Sequence, residues 1–173
     1  LPSLGISNVK DSIKMVDDAN IELRNIALKM MPRTLNETGI SGAINDLLDK
    51  TLRNTGINYH FETSVTDKKF DEHIKIGVFR IFQEILSNIL KHAHATEISV
   101  HLHLVSKQLI VIIEDNGVQF NYDIQTAKAH IPKTGNTGMG LLNIAIRAEA
   151  LNGNVLYEPS PIKGTTTTIR VPI

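Results

Sequence analysis

Apolar positions along this chain follow two rhythms. Ile13, Val16, Asn20, Leu23, Ala27 and Met30 recur at three- and four-residue steps, mostly apolar, and predict a helix over residues 7–31. Pro32 stops it. Ile40, Ala43, Ile44, Leu47, Leu48 and Leu52 give a second helix over 39–54, with Gly56 as its cap. The "INYHFETSV" stretch, 57–65, alternates as a strand does. A third helix is predicted over 71–94. In "EISVHLHLV" the residues Ile98, Val100, Leu102 and Leu104 share one face, and "QLIVIIED" follows after Ser106 and Lys107, so the two read as an antiparallel hairpin. The rhythm fades over 121–137, where polar residues, Pro132 and Gly135 predict a long loop. A fourth helix over 138–153 and two strands, "NVLYE" and "TTTTIRVPI", complete the chain.

Composition narrows the classes. With 173 residues and 42% apolar content, one domain plus an extra terminal helix is expected. The hinge between them falls at 32–39. Eighteen basic residues balance eighteen acidic ones, which argues against a broad nucleic-acid or acidic-membrane surface. No cysteine is present, so disulfides and thiolate metal sites are excluded and a reducing compartment fits. No apolar run approaches the roughly 20 residues of a membrane helix. Leu1 opens the chain without a methionine or signal peptide, which reads as a segment of something longer.

The third helix carries the most chemistry. Phe79, Phe82, Ile85, Leu86, Ile89 and Leu90 cover one arc, and Glu84, Asn88 and Lys91 lie opposite. A solvated face explains such a pattern, and Arg80 on the same side weakens any special claim. A ligand face explains it too: Glu84 would polarise a water, Asn88 would offer a neutral oxygen to a hard cation such as Mg²⁺, and Lys91 would meet a phosphate. Gly135, Gly138 and Gly140 lead into the fourth helix, and a glycine-rich helix start suits a phosphate through its unpaired N–H groups. Neither a Walker loop nor a dinucleotide fingerprint is present. His92 and His94, and His101 and His103, are each two apart. No third ligand is suggested nearby, so they read as exposed histidines rather than a metal site.

The order of the pieces is more specific than any one of them. "QEILSNILKHA", "EDNGVQF", "TGMGLLNI" and "GTTTT" occur in that sequence. In this the chain resembles the ATPase superfamily shared by gyrase, the ninety-kilodalton chaperones and bacterial histidine kinases, and most closely the histidine kinases of two-component systems, in the subgroup with nitrate and cell-envelope sensors. The resemblance covers roughly residues 31–173. It implies a two-layer α/β sandwich: a mixed, mostly antiparallel sheet covered on one face by helices, with ATP as substrate and Mg²⁺ as cofactor. By this resemblance Glu84 takes the place of the catalytic acid, Asn88 that of the Mg²⁺ ligand, and Lys91 and His92 those of phosphate contacts. Asp115, in the first glycine motif with Gly117, would accept a hydrogen bond from the adenine amino group. Gly138, Met139, Gly140 and Leu141 would lie near the phosphates, Thr165 near adenine and Asp115, and 121–137 would be the lid.

Residues 1–35 resemble the second half of a dimerisation and phosphotransfer hairpin with its connection, and 36–173 the ATPase domain. None of the seven histidines has the acid-flanked context of the family's phosphoacceptor. The resemblance therefore implies transfer of the γ-phosphate to a histidine outside this segment. It also implies a response regulator as partner, a homodimeric full-length protein, a monomeric segment and a cytoplasmic location, with a membrane-anchored sensor left open. Gln119 departs from the family, which usually has glycine there. It leaves open a strained left-handed residue or an ordinary backbone, and it keeps alive a degenerate nucleotide-binding module. An anti-sigma-factor-type serine kinase is the third alternative.

Overall fold

The computed structural model describes residues 9, 12–16, 18–19, 34–66, 70–119, 139–160 and 163–173. The chain divides into two compact units, Leu1–Met31 and Pro32–Ile173. In the first, the described residues are helical, and Val9, Ile13, Met15 and Val16 are exposed.

The second unit is built on one five-stranded mixed sheet. Its strands are β1 (Asn58–Thr63), β2 (Glu97–Val105), β3 (Gln108–Asp115), β4 (Asn154–Pro159) and β5 (Thr165–Pro172), in the spatial order β1-β2-β3-β5-β4. β1 runs parallel to β2, and the other three pairings are antiparallel. Among the described residues four helices accompany it: α1 (Thr34–Glu37), α2 (Gly39–Leu52), α3 (Glu72–Asn88) and α4 (Met139–Ala150).

Alternation sorts each strand. Ile98, Val100 and Leu102 of β2, Leu109, Val111 and Ile113 of β3, and Ile169 and Val171 of β5 are buried on the inner face. They meet Ile40, Ile44 and Leu48 of α2 and Phe79, Phe82 and Leu86 of α3, all buried, in one apolar layer. The outer face carries His101, His103, Ile110 and Ile112, half-buried. The β2–β3 hairpin turns on Ser106 and Lys107, whose φ angles of 49° and 63° are those of a two-residue turn matched to strand twist.

Several expected boundaries shift. The region expected as a hinge, 32–39, holds the short helix α1, whose Leu35 is buried and whose first carbonyl, Thr34 O, accepts both the N–H and the hydroxyl of Thr38. The second helix stops at Leu52 rather than 54, the fourth at Ala150 rather than 153, and the first strand is Asn58–Thr63. The third helix is α-helical only to Asn88. Residues Ile89–Ala93 form a π-helical turn, and His94 ends it in the left-handed conformation at φ 49°. Periodicity cannot signal this, because one widened turn hardly changes which side chains face the core. The loop expected over 121–137 lies outside the described residues.

Candidate functional site

β3 ends in the middle of the sheet, and its last residue decides the site. Asp115 faces inward, opposite Ile98 on one side and Thr165 on the other, and is only 6% exposed. Burial pushes its carboxyl above the usual carboxylate range, against the lowering effect of hydrogen bonds from backbone N–H groups of Gly117 and Thr165. The Gly117 bond, to Oδ1, measures 2.8 Å. A carboxylate kept this dry while answered by only part of its capacity is a group waiting for a donor.

The backbone around it is tightly held. Asn116 Oδ1 accepts the N–H groups of Thr96 (2.9 Å) and Glu97 (3.0 Å), and its Nδ2 donates to Thr96 Oγ1 (3.0 Å). Val118 N–H donates to Ala93 O at 2.7 Å, closing the π-helical turn onto the strand end. A side chain at Gly117 would run into that same Ala93 carbonyl, so glycine is required there by space. Gly164, at φ 92°, lies against the Asp115 carbonyl with equally little room.

A cavity opens beside Asp115. It holds about 380 Å³, counting its open mouth, and Ile85, Asn88, Ile89, Ala93 and Leu141 form its helix side. Asp115, Thr165, Thr167 and Tyr157 form its sheet side. This apolar lining with few polar groups is that of a small-molecule site.

The residues singled out from the sequence fall as follows. Asn88, Asp115, Leu141 and Thr165 line the cavity together. Glu84 stands one turn before Asn88, half-buried. Both reach the start of α4: a Cβ at Gly140 would lie 2.5 Å from Glu84 Oε1 and 3.5 Å from Asn88 Oδ1. Glycine thus lets the helix N-terminus approach the two oxygens. Gly117 is buried under Ala93. Met139 opens α4, while Gly138 lies outside the described residues. Lys91 and His92 sit exposed on the π-helical turn, away from the cavity lining.

Gln119 takes the unstrained alternative. Among the described residues, positive φ at non-glycine positions occurs at His94, Ser106, Lys107 and Asn152, and Gln119 is not one of them. Its Nε2 donates to Ser160 O at 3.4 Å. Sequence reasoning passed over Tyr157 and Thr167. The run of four threonines hid the second, although strand alternation, once Thr165 is placed inward, puts Thr167 inward too.

The histidine pairs also resolve. His101 and His103 are half-buried rather than exposed, with rings stacked 6.1 Å apart. His60 and Glu62 of β1 join them on the outer face, with Glu62 within 2.9 Å of His60 Nε2 and 3.4 Å of His101 Nδ1. Among the described residues no group of three or more such side chains is placed to hold a metal ion.

Comparison with known proteins agrees with this geometry. Over 160 residues, 92% of its length, the chain is 31% identical to the oxygen sensor histidine kinase NreB of Staphylococcus carnosus, of which it spans 43%. The catalytic domain of the histidine kinase ThkA superposes with a TM-score of 0.63 at 17% identity, over 80% of this chain and 92% of that one. The Acinetobacter baumannii histidine kinase AdeS superposes with a TM-score of 0.58 at 14% identity, over 99% and 85%. At such identities the structures establish a shared fold. Residues 73–173 match the family described as histidine kinase-, DNA gyrase B-, and HSP90-like ATPase, and this chain belongs to that family.

Proposed function

We propose that the chain is the ATP-binding catalytic domain of a sensor histidine kinase and transfers the ATP γ-phosphate to a histidine outside this segment. The observation that carries the reading is Asp115: a desolvated carboxylate on the wall of an apolar cavity, with an open lone pair for an exocyclic amino group. Adenine presents such a group, and Thr165 stands beside it on the neighbouring strand. Gly117 supports the acid from below through its N–H.

At the other end of the cavity the oxygens of Asn88 and Glu84 converge on Gly140. A neutral amide oxygen and a carboxylate are hard donors, and they fit Mg²⁺, which takes few protein ligands and keeps waters and phosphate oxygens. Asn88 would hold the ion. The bound ion would neutralise charge between the phosphates. Glu84 would accept the proton of the attacking group or orient it, and the start of α4, Met139 to Leu141, with Gly138 before it in the sequence, would face the phosphate oxygens. Lys91 and His92, exposed on the π-helical turn, would reach the phosphates from outside.

By the same reading residues 1–35 are the remnant of a dimerisation hairpin and 36–173 the catalytic domain. A response regulator accepts the phosphoryl group downstream, and the domain works in the cytoplasm as part of a homodimer, with this segment alone monomeric.

Calorimetry with ADP and ATP, with and without Mg²⁺, is the first test, and micromolar-range binding with Asn88→Ala selectively losing the Mg²⁺ dependence is expected. Labelled ATP and a separate acceptor protein give the second. Glu84→Gln should bind nucleotide as the parent does and transfer phosphate about 10²–10⁴-fold more slowly. Absence of any nucleotide binding overturns the reading, and an unchanged transfer rate removes Glu84 from the chemistry.

A further inference from the structure

Four side chains form the sheet side of the cavity, and the proposed function uses only two of them. Thr167 lies on β5 two residues beyond Thr165, on the same inward face, and is 4% exposed. It lines the cavity, and its hydroxyl makes no hydrogen bond to a described residue. Tyr157 lies directly opposite it on β4, the edge strand, and lines the same cavity with its hydroxyl buried. Directly opposed residues of an antiparallel pair hold their Cβ atoms about 4.5–5.5 Å apart, so the two side chains form one unit. A hydroxyl donates once and accepts twice, so a protein group that donates to Tyr157 leaves its O–H available to donate to a ligand.

Their placement relative to Asp115 is fixed by the register. Asp115 pairs with Thr165, and Thr167 pairs with both Ile113 and Tyr157. Tyr157 therefore stands two strands from Asp115, about 10 Å across the sheet, and one inward step further along it. A planar bicyclic base seated on the apolar helix side, with its amino group at Asp115, extends over this pair. The other ring positions of adenine that can take a conventional hydrogen bond are nitrogen acceptors, and the Asp115 carboxylate, itself an acceptor, cannot satisfy one. Hydroxyl donors can.

We propose that the Thr167–Tyr157 pair is a second reader of the base, donating to a purine ring nitrogen while Asp115 takes the exocyclic amino group. The inference rests on the ATP-domain reading and extends it, because it assigns the discrimination of the base to two residues beyond the acid. Leaving a buried hydroxyl without a partner is costly, so a ring that lacks the nitrogen is penalised as well as unrewarded.

The test uses variants that keep shape and delete one hydroxyl: Thr167→Val and Tyr157→Phe. ADP and its 1-deaza, 3-deaza and 7-deaza analogues are titrated into the parent and each variant by calorimetry. The parent should lose roughly three- to tenfold in affinity for one of the three analogues. At least one variant should lose a similar factor for ADP and show no further loss on that analogue, because the two deletions remove the same bond. Equal binding of ADP and all three analogues by the parent overturns the proposal without recourse to any variant. So does a set of equal losses on the deaza analogues in parent and both variants, which would make the pair a large-against-small packing contact. Failure of the parent to bind ADP at all is a different result: it removes the nucleotide reading itself, and this inference with it.

Discussion

Asp115 and Glu62 are carboxylates of the same sheet, and they face opposite ways. Asp115 points into the helix layer, 6% exposed, with Thr165 beside it and backbone N–H groups as its partners. Glu62 points outward from the edge strand, between His60 and His101, with its side chain 58% exposed. Burial raises the first above the usual carboxylate range; the hydrogen bond from His60, together with its charge, draws the second below it. The outer cluster has more polar neighbours, yet the inner acid is the drier of the two. Water decides the difference. Exposed ion pairs contribute little because solvent competes for both partners, whereas a dry carboxylate makes each hydrogen bond it is offered count.

Removing the inner acid gives the largest expected effect. Asp115→Ala should weaken ADP and ATP alike by about ten- to a hundredfold, the range for a hydrogen bond to a charged group. Calorimetry checks it, and a loss confined to the Mg²⁺ complex would contradict the placement of Asp115 at the base. A smaller effect concerns the protein without nucleotide. A carboxyl with a raised folded value holds a proton in the native state that the unfolded chain has already lost. Its contribution is therefore full below the usual carboxylate range and declines as pH rises through the raised value. Asp115→Asn keeps an oxygen for the Gly117 N–H and removes the charge. It should melt at or above the parent temperature at neutral pH while binding adenine nucleotides less well. A lower melting temperature at neutral pH would mean that the buried charge is compensated within the protein.

Glu62 runs the other way and gives the smallest effect. Its lowered value means that its contribution is present above the usual carboxylate range and is lost as pH falls through the lowered one. Glu62→Gln should leave the neutral-pH melting temperature and ADP affinity unchanged within error, and flatten only the acid limb of the stability curve. A changed ADP affinity would show that the two faces communicate.

The two regions were not equally legible in the sequence. Asp115 could be found because a run of apolar residues, "LIVII", ends in it and a glycine follows. A buried strand closing on an acid is a local signal. The six-residue apolar arc that runs from α3 into the π-helical turn was also local, and five of its members are buried, with Leu90 at the margin. The hairpin at Ser106 and Lys107 was readable from two alternating runs and the gap between them. The outer cluster was not readable, since His60 and His101 meet only because β1 pairs with β2 in parallel, which sets Glu62 opposite His101 and His60 opposite Ser99. Tyr157 and Thr167 are hidden for the same reason: the β4–β5 register joins them, and no spacing along the chain announces it. The π-helical turn leaves the apolar pattern intact and so leaves no trace.

Asn116 carries a consequence for the molecule's chemical ageing. It precedes a glycine, and in a flexible chain such a pair deamidates readily, because the glycine nitrogen attacks the side-chain carbonyl. Here the attacking nitrogen donates its N–H to Asp115 Oδ1, and the amide is fixed by three bonds to Thr96 and Glu97. The fold therefore shields this Asn–Gly peptide, and damage at Asn116 accrues through the unfolded population. Peptide mapping after prolonged storage should find deamidation at Asn116 rising with denaturant and suppressed by any ligand that stabilises the fold, so the residue keeps a record of the time each molecule has spent unfolded.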